Sequence, residues 1–140
     1  MRKLDPAEVT DTQYEMLADA RLQQNELIWQ TPVLSLTGQA FLFVIAFGEG
    51  SLTGKLIASA LIFITSFASI QLLAKHRALE VHYSKLLEAV EIAKRIPPLH
   101  EHSIVGKGIV RWSSYRVWFA ALTAFGIAAI AAAATALFSN

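Results

Sequence analysis

The sequence predicts an all-α integral membrane protein: three transmembrane helices with long cytoplasmic helical extensions, the amino terminus inside and the carboxyl terminus outside. Three observations predict it. Of 140 residues, 54% are hydrophobic and only 16% charged, with a mean hydropathy of +0.45, whereas soluble domains carry roughly 25% charged residues. Ionisable side chains are missing from three stretches, 27–48, 56–74 and 117–140, each near or above the ~20 residues that cross a bilayer core. Basic residues are also one-sided. Arg2, Lys3 and Arg21 precede the first stretch, and Lys75, Arg77, Lys85, Lys94, Arg95, Lys107, Arg111 and Arg116 lie between the second and third. Lys55 stands alone on the other side, and such a bias sets topology.

The elements follow in order. Asp5-Pro6-Ala7-Glu8 reads as the start of a cytoplasmic helix over 6–30, with an N-cap carboxylate and a first-turn proline. The first span, 27–48, carries Gln30, Pro32, Ser35, Thr37 and Gln39 before an apolar run, and Pro32 is a kink or a seam between two helices. A tight turn, Glu49-Gly-Ser-Leu-Thr-Gly-Lys55, joins it to the second span, 52–74. No glycine or proline interrupts the chain until Pro97, so that span continues as a cytoplasmic extension over 75–96. A loop and interfacial segment over 97–116 leads to the third span, 117–138. Trp29 at the first span, and Trp112, Tyr115 and Trp118 at the third, are headgroup anchors.

Within the extension, Leu72, His76, Leu79, Tyr83, Leu86, Val90 and Ala93 alternate in steps of four and three, the spacing of a coiled-coil seam. The seam packs on the amino-terminal helix of the same chain or on a second copy. Glu91 and Arg95 form an i,i+4 pair on the exposed side. In the second span Ser59, Phe63, Ser66 and Ser69 are assigned to one face, which either packs against a neighbouring helix or lines a pore with Phe63 as its constriction. Ala120, Ala124, Ala128, Ala132 and Ala136 step by four as a small-residue ridge, and Gln39 and Gln71 are expected to bond neighbouring helices.

Chemistry is sparse. There is no cysteine, phosphate-binding loop, nucleophile elbow or zinc motif. His100-Glu101-His102 reads as a solvated loop. No catalytic residue, cofactor or metal is assigned, and the chain reads as a non-enzyme. The spans lack the ionisable group that proton-coupled transporters keep at mid-membrane, and a net charge of +1 disfavours nucleic acid as a partner. The expected partners are the lipid bilayer, further copies of the chain, and a protein at the cytoplasmic helices.

This layout resembles the SLATT-like family of small bacterial membrane effectors. The likeness is carried by the amino-terminal helix over 5–30, the two-span hairpin over 27–74 and the helical extension over 75–96; the third span departs from the two-span pattern. The resemblance implies a membrane-disrupting or pore-forming effector of bacterial defence, switched by a partner or a nucleotide signal, and carries over no functional residue. The sequence reading is therefore a self-associating channel-like or pore-forming protein of the bacterial plasma membrane. Its alternative is a non-catalytic accessory or scaffold subunit of a larger membrane complex.

Overall fold

The computed structural model describes residues 5–97 and 114–138, and among these every element is helical. A short 3-10 turn, Pro6–Glu8, precedes α1 (Asp11–Phe47), α2 (Leu52–Lys94) and α3 (Ser114–Phe138). All three α-helices are long and apolar enough to cross a membrane. At 1.5 Å per residue α2 is about 65 Å long, twice what a bilayer core requires. The helices pack as an antiparallel hairpin, α1 against the full length of α2, with α3 against the apolar half of α2.

Local sequence explains the boundaries. Asp5 caps only the 3-10 turn, its Oδ1 accepting from the Ala7 amide at 3.0 Å. The first α-helix starts later, at Thr10, which forms a reciprocal capping box with Gln13 (3.3 and 3.0 Å). Two donors satisfied at once make this the stronger start signal, so the helix expected from residue 6 begins at Asp11. Pro32 is buried inside α1, which passes through it unbroken. Gly48 ends α1 by donating its amide to the Val44 carbonyl; a Cβ there would lie 2.4 Å from that oxygen, so the turn requires glycine. Ser51 then caps α2, accepting from the Gly54 amide at 3.2 Å. Arg95 closes α2 in the left-handed conformation (φ 55°, ψ 35°), and the Ile96 amide donates back to the Glu91 carbonyl at 2.9 Å, as a Schellman ending does.

The core has two apolar clusters with a polar layer between them. Near the 48–51 turn, Ala46, Ala58, Ile62, Ala129 and Ala132 pack with Leu42 and Phe43. Farther along, Ile28, Leu73 and Leu122 pack with Leu36, Ile70, Tyr115 and Trp118. At that end Trp29 and Trp118 meet edge to face, 6.4 Å between centroids, so α1 and α3 bring their indoles to the same level.

Two predicted faces turn out rotated. In α3 the buried residues are Leu122, Gly126, Ala129, Ala132 and Ala136, spaced four, three, three and four, while Ala120 and Ala124 are exposed. Steps of four advance 400°, so a ridge of five alanines drifts about 160° around its helix and cannot stay in one contact. In α2 the face against α1 is Leu73, Glu80, Ser84, Leu87 and Glu91, one residue and about 100° from the predicted seam.

Candidate functional site

The polar layer is built by α1 and α2. Gln39, 1% exposed, projects from α1. Its Nε2 donates to Ser35 Oγ (3.0 Å), Ser66 Oγ (3.1 Å) and Thr65 Oγ1 (3.2 Å). Ser69 Oγ donates to Ser35 Oγ at 2.8 Å, and Thr65 turns its hydroxyl back onto the Leu61 and Ile62 carbonyls. The cluster lies midway along the uncharged stretch of α2. Two buried atoms within these segments, Gln39 Oε1 and Ser59 Oγ, have no hydrogen-bond partner among the described residues. An amide nitrogen carries two hydrogens, so its three hydroxyl contacts share them, while the oxygen has no partner among the described residues.

This layer forms part of a groove of about 630 Å³ between α1 and α2, with no α3 residue in its lining. Thr31, Ser35, Gly38 and Gln39 line it from α1, and Thr65, Ser69 and Leu72 from α2, with Leu34, Leu42 and Ala68 completing its apolar walls. Gly38 leaves it open, since a Cβ there would meet nothing within 4 Å.

The residues predicted as one face separate here. Ser59, Ser66 and Ser69 are buried within the chain, at 2%, 2% and 7% exposure. Ser69 lines the α1/α2 groove, and Ser66 lies between Gln39 and Gly126, whose Cβ position is 3.6 Å from Ser66 Cβ. Phe63 is 47% exposed and lines a smaller groove with α3, beside Phe67, Thr123 and Ile127. It stands about 70° from the centre of the serine stripe, enough to put a large ring outside the helix contact. Gln71 is exposed, whereas Gln39 makes the interhelical bonds expected of it.

The seam residues keep a side of their own. Leu72 is exposed, His76, Leu79, Tyr83 and Leu86 are half-buried, Val90 is buried and Ala93 exposed. His76 Nδ1 lies 2.8 Å from Gln24 Oε1. The adjoining face of α2 holds the charged contacts to α1. Glu80, 3% exposed, pairs with Arg77 and lies 3.7 Å from Arg21 Nε, which donates to Ser84 Oγ at 2.9 Å. Glu91, expected on the exposed side with Arg95, is 1% exposed and accepts from the Tyr14 hydroxyl. Burial of the Tyr14 phenol, then its bond to Glu91, pushes its pKa up. At the open end Lys94 Nζ lies 2.7 Å from Asp11 Oδ1 and holds that carboxyl below the usual range.

Sequence reasoning missed Glu80, Glu91 and Arg21, because charged residues were assigned to the solvated side. The usable signal was the run Leu73, Glu80, Ser84, Leu87, Glu91, which repeats at the spacing of the seam. His100-Glu101-His102 and Trp112 lie outside the described residues.

No protein-family model, curated protein or solved structure matches this chain.

Proposed function

We propose that this chain is a self-associating, non-catalytic membrane protein of channel type, and that the mainly apolar α1/α2 groove, backed by a buried polar layer, is its path. The observation that carries the reading is the Gln39 cluster. A buried amide and four hydroxyls lie in the middle of segments that otherwise read as lipid-soluble, beside an open groove. Hydroxyl- and amide-lined paths conduct, and apolar narrowings gate them by dewetting; Leu34, Leu42 and Leu72 are the apolar walls here. Because a single groove opens sideways toward lipid, conduction requires a second wall, which self-association supplies.

The amino terminus is assigned to the cytoplasm and the carboxyl terminus to the outside of a bacterial plasma membrane, on the asymmetry of basic residues. The charged half of the α1/α2 hairpin is then cytoplasmic, where a regulatory protein can reach it. The likeness to small membrane effectors supports the same reading.

Ion flux tests it. Purified protein in vesicles of mixed zwitterionic and anionic phospholipid should release a trapped potassium gradient. Gly38→Leu, which fills the open side of the groove, should cut that flux at least several-fold while helix content stays unchanged. Silent vesicles under all ionic conditions and potentials would remove the channel and leave the scaffold reading.

A further inference from the structure

We infer that the uncharged side of the α1/α2 hairpin is the surface on which a second copy of this chain docks, forming a parallel two-fold dimer. The inference rests on the self-association reading above and gives it a surface.

Two repeats border one side of the hairpin. On α2, Thr65, Ser69, Leu72, His76, Leu79 and Tyr83, with Leu86 beyond, alternate by four and three without a break. On α1, Leu17, Ala20, Gln24, Leu27, Thr31 and Leu34, continuing to Gly38, alternate the same way. The groove residues Thr31, Leu34, Gly38, Thr65, Ser69 and Leu72 belong to these repeats, so the groove and the seam are one continuous face. Neither repeat contains Asp, Glu, Lys or Arg.

In the apolar half, lipid accounts for such a surface. Beyond Leu72 it does not, because α1 and α2 carry charges on their other sides there, while Leu79, Tyr83 and Leu86 are only half-covered by their own chain. A 3-4 repeat on both helices of an antiparallel pair closes with an identical pair into a four-helix bundle. From Leu17 to Gly38 the face is about 32 Å long. Two helices wide, it offers on the order of 600 Å² per copy, near the ~800 Å² per partner of a standard interface.

Continuity selects the occupant. The partner must follow the face from the charged half into the apolar half at one register, so it needs a span and an extension of matching length. A second copy with the same topology supplies both through a two-fold axis along the membrane normal, with one patch meeting itself.

Because the chain has no cysteine, single cysteines report directly. Leu72→Cys and Leu79→Cys in native membranes, treated with a short bifunctional maleimide, should give several-fold more covalent dimer than Lys85→Cys or Ile127→Cys. Leu79→Glu should shift the uncrosslinked protein from dimer to monomer mass in mild detergent with helix content retained. Dimers from Ile127→Cys alone would keep self-association and overturn this surface. A monomer throughout, or crosslinking of Leu79→Cys to a different protein, would overturn it as well. Crosslinked dimers in a protein that passes no ions would sustain this surface while the channel reading fails.

Discussion

The Tyr14 hydroxyl of α1 donates to Glu91 Oε1 of α2 at 2.8 Å, joining positions 77 residues apart at the far end of the hairpin. The acceptor is almost wholly buried, so the phenol offsets part of the cost of desolvating it. Tyr14→Phe removes that donor and should lower hairpin stability by about 2 kcal/mol, the range for a hydrogen bond to a charged group. Its pH signature is specific. The folded protein holds the Tyr14 pKa above its ordinary 10.0, so the contribution is complete below pH 10.0 and is lost as pH rises through the folded value. Chemical unfolding in micelles at neutral and strongly alkaline pH should show a wild-type loss that Tyr14→Phe lacks. Parallel curves would mean that the phenol does not couple the helices.

Arg95 should be improvable. It ends α2 at φ 55°, where a side chain costs about 1 kcal/mol relative to glycine, and its backbone amide already caps Glu91 and Ile92. Arg95→Gly should therefore raise stability by about 1 kcal/mol, read as a higher midpoint in the same unfolding assay. Destabilisation instead would assign the guanidinium an interaction that outweighs the strain.

Helix existence was legible because charge exclusion and length are read along the chain, whereas helix rotation depends on contacts made across it. Leu72, Leu79 and Leu86 advertise an apolar seam, yet α1 occupies the adjoining face, where Glu80 pairs with Arg77 and Arg21 and Glu91 accepts a hydrogen bond from Tyr14. A sequence cannot show that a buried carboxylate has found partners on another helix, as Glu80 does in Arg21 and Glu91 in Tyr14. Ser59, Ser66 and Ser69 were recognisable as one stripe by spacing. That Gln39 would reach Ser66 required knowing which α1 residue stands opposite, which the length of the 48–51 turn sets only approximately.

Topology has a direct check. With basic residues concentrated at one end of the spans, a reporter fused after Pro98 should be active only in a cytoplasmic format. One fused after Asn140 should be active only in an extracytoplasmic format. Cytoplasmic activity at both sites would leave α3 without a crossing and overturn the three-span assignment.

The charged layer predicts non-additivity. Arg21→Met takes away one of the two cations beside Glu80 and should cost about 1–3 kcal/mol, because a buried carboxylate loses compensation. Arg21→Met with Glu80→Met removes the need for it, and the double variant should recover most of that loss. Additive losses in unfolding experiments would show that the two residues act independently despite their 3.7 Å approach.

The polar layer gives the sharpest contrast between two neighbouring positions. Gln39→Leu deletes bonds to Ser35, Thr65 and Ser66, and interhelical hydrogen bonds in a bilayer contribute from ~0.6 to ~1.7 kcal/mol. The loss stays modest because serine and threonine hydroxyls can return to carbonyls of their own helices, as Thr65 already does. Removing the idle Oε1 also relieves an unpaired acceptor. About 1 kcal/mol of destabilisation is expected, measured by denaturing-detergent titration. Ser59→Ala should do the opposite. Its buried hydroxyl has no partner among the described residues, so alanine removes an unsatisfied group and leaves little void beside Ala58, and stability should hold or rise. Equal losses at Gln39 and Ser59 would mean that packing volume, and not hydrogen bonding, holds α1 against α2. The channel reading would then lose the built polar layer that supports it.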